Sequence, residues 1–451
     1  MLRRLSGRFL PSGAILLSAL TFAGYAMGLV RDRMFARTFG AGSELDAYNA
    51  AFVVPELALD VVIASGLAAP FIPIFATLRR ESRTAATDFA RTVLTGAVLV
   101  MGAVAAVLFV IAPATAGIVA PGFDAGQRDL YVSLFRVMCV TPVIFAASIA
   151  LGEVLVAEQR FLFYGLAPLL YNLGIVLGTV ALSDRYGIFG PAVGAVIGAL
   201  LHLGIRIVGI LRTGFPLRPL LAVRTKAVRE FIRLMLPKMA SHPIEPLTFL
   251  YFTSLATTFG VGSVSAVSFA RNFGSVPVSL IGVSISLAAF PTLAAAYAAG
   301  DRRRFSGILG TNVLTISVLS VIAAVGLFVV GGTAIGLLLG GGAFDADDVE
   351  RTSLVLGAFA LSVPFEGLGH LLARAVYATR NTLLAVLASL AGFLVTVATG
   401  WGLAGALGIV AIPLAFAAGS AVKVALLAVA LVPRIRTLDR VATLAGDIDP
   451  D

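Results

Sequence analysis

The chain has 451 residues, of which 59% are hydrophobic and 13% charged, and its mean hydropathy is +0.99. Globular domains carry about 25% charged residues, so this much apolar surface excludes a soluble globular protein and calls for a bilayer. The net charge of +9 does not point to nucleic acid, because Lys and Arg gather in alternate connections as membrane topology demands.

Apolar stretches long enough to cross a bilayer recur at 12–30, 47–77, 89–112, 130–157, 161–182, 188–211, 232–257, 264–297, 307–331, 350–377, 382–400 and 405–432. In hydrocarbon each must be helical. The expectation is an all-α polytopic membrane protein of about twelve transmembrane helices, in two pseudo-symmetric six-helix bundles around a central cavity. With the N-terminus taken as cytoplasmic, about 21 of the 33 basic residues fall on the inner side, and both termini are expected there. Arg3, Arg4 and Arg8 before the first run could be mistaken for a signal peptide; the run is instead expected to be an uncleaved span.

The first helix ends in Arg31-Asp32-Arg33, and Asp46 opens the second after a short glycine-rich link. Together they can form an ion-pair network on the outer side, either a gate latch or a static cap. The second helix holds Pro55, Pro70 and Pro73, and the eighth holds Pro277 and Pro291. A proline frees a backbone carbonyl and bends a helix, which lipid tolerates only when neighbours or water satisfy the loose groups. Bends at matching places suit a lateral gate, although plain kinks leave the same trace.

A charge inside a bilayer costs about 2.5–3.5 kcal/mol on insertion scales, so each one calls for a role. Arg136, Arg206, Lys238, Arg271, Arg374 and Lys423 fall within the spans. Arg206 and Lys423 lie toward helix ends, where snorkelling to the interface is expected. Arg271 reads either as a cationic anchor for an anionic headgroup or as half of a structural ion pair. Glu56 and Asp60 are spaced i, i+4, as are Glu366, His370 and Arg374 in sequence, while Lys238, His242 and Glu245 share a face of the seventh helix. Carboxylates and imidazoles so placed suit coupling to an ion, or else mere packing by internal salt bridges.

The basic stretch from Arg212 to Arg233 is the longest polar break. It divides the chain into expected lobes 1–220 and 221–433, with a short cytoplasmic tail at 434–451. An amphipathic surface helix, with Leu, Val and Phe toward lipid, is one expectation for it and a plain loop is the other. Cys139 is the single cysteine, and His202, His242 and His370 lack ligand spacing, so no metal site or cofactor is expected. No nucleotide fingerprint is present either, which leaves a gradient or the substrate itself as the energy source.

The halves repeat one another. Thr38-Phe39-Gly40-Ala41-Gly42-Ser43 returns as Thr258-Phe259-Gly260-Val261-Gly262-Ser263, Phe123-Asp124-Ala125 as Phe344-Asp345-Ala346, Pro142 as Pro364 and Arg160 as Arg380. Duplicated bundles with a site between them are a common plan for secondary transporters.

Gly28-Leu29-Val30-Arg31-Asp32, Phe39 through Tyr48, Ala51-Phe52-Val53-Val54-Pro55 and Pro70 through Phe75 resemble the N-terminal signature of the MurJ/MviN lipid II flippases, within the multidrug/oligosaccharidyl-lipid/polysaccharide exporter superfamily. Pro277 to Leu293 and Ala120-Pro121-Gly122-Phe123 are similar to further family segments. The resemblance implies a two-lobed carrier that moves an undecaprenyl-pyrophosphate sugar to the outer leaflet by alternating access, in the bacterial cytoplasmic membrane, with arginines holding the pyrophosphate. It places the family's Arg-Asp on Arg31 and Asp32 and its next acidic residue on Asp46. Departures are Gly24 and Tyr25 where the family has an arginine, Leu59 and Asp60 where it has a basic pair, and Arg271-Asn272 where it has Asp-Arg. The family also carries two more C-terminal helices than the twelve read here.

The expected function is therefore a flippase for a lipid-linked cell-wall precursor. Arg31, Arg271, Asn272 and Tyr25 would bind the headgroup, and Asp32, Asp46, Pro55 and Pro277 would form the gate. Glu56, Asp60, Glu245, Glu366, His370 and Arg374 would couple transport to H+ or Na+. The expected partners are membrane lipids and the lipid-linked oligosaccharide. A cation-coupled drug or metabolite antiporter and a transport-inactive scaffold for envelope synthesis are the alternatives.

Overall fold

The computed structural model describes residues 12–241 and 244–446, which form α-helices without a β-strand. In chain order the helices are α1 (Ser12–Phe39), α2 (Ser43–Leu59), α3 (Ser65–Glu81), α4 (Arg83–Val119), α5 (Ala125–Met138), α6 (Val140–Ala157), α7 (Phe161–Tyr186), α8 (Phe189–Leu211) and α9 (Lys226–Ser241). There follow α10 (Ile244–Thr257), α11 (Ser263–Pro277), α12 (Ser284–Ala298), α13 (Arg302–Leu338), α14 (Ala346–Ala360), α15 (Val363–Ala378), α16 (Leu383–Leu407) and α17 (Ala411–Gly446). The twelve expected apolar stretches fall mostly on helix; Cys139, Ile188, Leu361, Ser362 and Thr382 are turn or link residues between helices. Residues 242 and 243, and with them the expected role of His242, lie outside the described residues, as do Arg3, Arg4 and Arg8.

Among the described residues eight helical runs are long and apolar enough to cross a membrane, or nine when α14 and α15, bent by 42°, count as one. One run, Leu383–Leu438, has 56 residues, more than twice what a span needs. It contains both α16 and α17, which turn at Gly408. The protein is an all-α polytopic membrane protein.

Two π-helical turns interrupt these rods, Asp60–Ala64 between α2 and α3 and Val278–Val283 between α11 and α12. They follow Pro55 and Pro277, two of the five prolines expected to bend these helices; Pro70, Pro73 and Pro291 lie inside α-helix. A π-turn widens the helix and breaks the regular i→i−4 ladder, and such turns concentrate at functional sites.

By contacts the chain forms two compact units, Met1–Val264 with Leu338–Asp345, and Ser265–Leu337 with Ala346–Asp451. In the first, α7 and α8 meet along glycines, because a Cβ at Gly174, Gly178 or Gly194 would strike the backbone of the facing helix. Small residues allow that approach, and dispersion replaces the hydrophobic drive that lipid cannot supply. Its core is built on Phe71, Phe75, Phe89 and Met101, and Val228 and Phe231 of α9 join it. The amphipathic-helix expectation is corrected on that point: α9 is helical, but these two side chains face protein, with Phe231 edge-on to Phe89 at 5.8 Å. The second unit packs Leu293, Phe305, Ile316, Leu371 and Leu427 together. Outward-facing Phe328 and Leu337 of α13 present the apolar surface that lipid chains cover.

Candidate functional site

In the first unit the site starts at the end of α1. The Arg31 guanidinium gives Asp32 Oδ1 two hydrogen bonds, from Nε at 3.0 Å and from Nη2 at 2.8 Å. Its Nη1 donates to Asn172 Oδ1 at 3.0 Å. The amide is oriented for this, since Asn172 Nδ2 donates to the carbonyl of Pro168 one turn back on α7. Phe35 lies 5.9 Å below the guanidinium carbon and stacks edge-on with Tyr48, whose hydroxyl is buried and has no hydrogen-bond partner among the described residues. Asp32 is buried, yet the Arg31 side chain keeps 26% of its surface exposed. A guanidinium that shares one carboxylate oxygen and an amide retains donor geometry for a further anion.

Asp46 is almost fully buried and its Oδ2 accepts the backbone N–H of Gly262 at 2.6 Å. It therefore joins the start of α2 to the link before α11, and the structure does not bring it onto Arg31. Glu56 is exposed on α2, Pro55 beside it is buried, and Asp60 opens the π-turn. Tyr25 is exposed on α1, and Glu245 is exposed in the first turn of α10.

In the second unit Arg271 of α11 and Glu366 of α15 form a forked ion pair, with Nη1 to Oε1 at 2.9 Å and Nη2 to Oε2 at 2.6 Å. Ser362 adds a hydrogen bond to Oε1 at 2.7 Å, and the rings of Phe416 and Phe359 stand 4.9 and 5.9 Å from the guanidinium carbon. Of the two readings of Arg271, this is the geometry of the ion pair. Asn272 beside it is exposed. Arg374 shares α15 with Glu366 but meets other partners. It donates to Val283 O at 3.1 Å and to Ser286 Oγ, so it caps a carbonyl at the end of the π-turn that follows Pro277. His370 lies between them on α15, half-buried.

Arg206 corrects another expectation. It does not snorkel: it is only 5% exposed, donates to Ser148 O at 2.6 Å and lies 4.9 Å over Tyr164. Gly152 makes room for it, because a Cβ there would strike the guanidinium. Sequence reasoning missed Asn172, Ser362, Ser286 and the covering Phe359 and Phe416. A lone amide in an apolar span is a signal that could have found Asn172; a phenylalanine among thirty carries none.

The family model for the lipid II flippase MurJ matches residues 35–445. The chain belongs to the lipid II flippase MurJ family. A probable lipid II flippase MurJ of Borreliella burgdorferi is 25% identical over 352 residues, covering 78% of this chain and 69% of that protein. The lipid II flippase MurJ of Burkholderia cenocepacia is 25% identical over 382 residues, with 82% and 72% covered. In fold, the chain is similar to a solved MurJ in its inward closed conformation, with a TM-score of 0.80 at 22% identity over 97% of this chain and 94% of that one. It is also similar to an inward-facing multidrug resistance MATE family transporter of the MOP superfamily, with a TM-score of 0.76 at 12% identity over 95% and 99%. Membership rests on the family match; the MATE likeness is one of fold.

Proposed function

We propose that this chain flips lipid II, or a closely related undecaprenyl-pyrophosphate sugar, from the inner to the outer leaflet of the bacterial cytoplasmic membrane by alternating access. The observation that carries the reading is the MurJ family match over residues 35–445, and the partly exposed Arg31 guanidinium supports a place for the pyrophosphate. Phosphate oxygens are the natural bidentate partner of such a group. Tyr25 and Asn272 would contact the sugar or phosphates. Arg271 would take part by exchanging Glu366 for a phosphate.

Asp32, Asp46, Pro55 and Pro277 are assigned to the gate, and the lobes 1–220 and 221–433 to the moving bodies, with both termini and the tail 434–451 cytoplasmic. Glu56, Asp60, Glu245, Glu366, His370 and Arg374 are assigned to coupling with H+ or Na+. The drug antiporter and the scaffold have no comparable support. The test is replacement of the lipid II flippase in a depleted bacterium, with lipid II reaching the outer leaflet measured in spheroplasts. The wild-type chain is expected to restore flipping and growth, and failure of both at normal membrane abundance overturns the reading.

A further inference from the structure

Arg136 on α5 is a membrane charge that the proposed function leaves unused. Arg206, Arg271 and Arg374, the other arginines within the expected spans, each donate to an acceptor inside the protein. Arg136 has no hydrogen bond or ion pair with another described residue. Its guanidinium carbon instead stands 5.2 Å from the ring centroid of Phe109 on α4. Both side chains are exposed, so one face of the guanidinium rests on the ring and the other is open. All five N–H donors of the group are therefore unmet within the protein.

Depth decides what can meet those donors. Phe109 lies ten residues before the end of α4 at Val119, and Arg136 eleven residues past the start of α5 at Ala125. At 1.5 Å per residue both sit about 15–16 Å below the loop that joins the two helices, near the middle of a hydrocarbon layer about 30 Å thick. Snorkelling would carry the guanidinium toward the headgroups, whereas contact with Phe109 holds it at depth. Lipid phosphates lie outside the hydrocarbon, so the anion that matches Arg136 must come from something that crosses it.

The face around Arg136 has the pattern of a helix seam. Asp129, Ser133, Arg136 and Val140 are exposed and stand four, three and four residues apart on the helical run Ala125–Ala157, the spacing along which one helix packs against another. Tyr131, Leu134, Phe135 and Met138 between them are fully buried, which fixes the seam outward. Ser133 Oγ donates to Asp129 O on its own helix, so the hydroxyl is satisfied and the guanidinium is not.

We infer that this face of α5 and α6 receives a transmembrane helix of another protein, and that this helix carries an aspartate or glutamate at mid-depth that pairs with Arg136. Charges inside a bilayer pair with one another or face water, and a guanidinium meets a carboxylate through two parallel N–H bonds. A carboxylate nearer the helix end misses the guanidinium, and a neutral helix leaves it unmatched, so the face selects its partner by charge and by depth. The inference assigns a docking surface and does not depend on what the protein transports.

The test uses the full chain in liposomes at pH 8, with an acceptor dye on Ala125→Cys at the exposed start of α5; the native Cys139 is buried and escapes labelling. The probes are donor-labelled Leu/Ala transmembrane peptides with one central Glu, one central Gln, or the Glu moved two turns toward an end. Energy transfer is expected at a peptide concentration at least tenfold lower for the central Glu than for the other two. Arg136→Gln is expected to abolish that preference and to leave thermal unfolding unchanged, since no bond inside the protein is lost. Equal transfer from the Glu and Gln peptides overturns the inference without recourse to any variant at Arg136, as does a preference that survives Arg136→Gln. A phosphatidylglycerol that copurifies with the wild-type chain and is lost with Arg136→Gln, seen by native mass spectrometry, makes the occupant a lipid and overturns it as well.

Discussion

The two units solve the same problem, a guanidinium in a membrane helix, in opposite ways. Arg31 leans on the carboxylate next to it in sequence and on a neutral amide, and keeps a quarter of its side chain open. Arg271 is forked by a carboxylate 95 residues away, roofed by two phenylalanines, and has side-chain exposure of 13% against 9% for its partner. An open cation can accept a passing anion at little cost. A fully engaged one must first release its carboxylate, and that makes it part of the scaffold or a switch. The two arginines are not equivalent in the repeat, since Arg31 stands before its Thr-Phe-Gly and Arg271 after.

Breaking the closed pair is expected to have the largest effect. Glu366→Ala leaves Arg271 buried without its carboxylate, a loss of about 3–5 kcal/mol that heat-induced unfolding in detergent measures. The double change Arg271→Met with Glu366→Leu is expected to recover most of that stability, since an apolar pair of similar size avoids the desolvation cost. If the double variant still flips lipid II, Arg271 is scaffold; if it is stable but inactive, partner exchange at Arg271 is required. Arg374→Met, which uncaps the π-turn carbonyl at Val283, is expected to cost about 1–3 kcal/mol by the same assay.

At the open site the expected signature is reversed. Arg31→Ala should lower flipping at least tenfold in spheroplasts while shifting stability by under about 1 kcal/mol, in the range of partly exposed ion pairs. A large loss of stability with flipping intact would remove the contrast between the two arginines. The smallest effect is expected from Asp46→Asn, which keeps an acceptor for the Gly262 N–H but loses its charge; charge-assisted bonds are roughly twice as strong as neutral ones. A modest drop in thermal stability with a several-fold change in flipping would mark it as a gate, whereas an equal drop in both would mark a static cap.

Much of this protein could be read directly from the sequence. Composition alone required a bilayer, backbone hydrogen bonding then required helices, and the apolar runs located most of them, although α1, α4 and α17 run well beyond their stretches. Pro55 and Pro277 each precede a π-turn, because a missing N–H disturbs the helix locally, wherever the chain runs. The density of matches from Gly28 to Phe75 announced the family. Partnership was beyond reach. Helical spacing put Glu366, His370 and Arg374 on one stripe, yet the carboxylate turned to α11 and the guanidinium to the π-turn, since ionic groups in a low-dielectric bundle go to whichever counter-group or loose carbonyl lies nearest in space. Arg206 near a helix end looked free to reach water, and a glycine on α6 gave it a buried seat instead. Local covalent facts such as hydropathy, a missing amide hydrogen or a repeated block belong to the sequence by itself; which charge meets which partner depends on distances between segments far apart in the chain, and only the tertiary structure sets those.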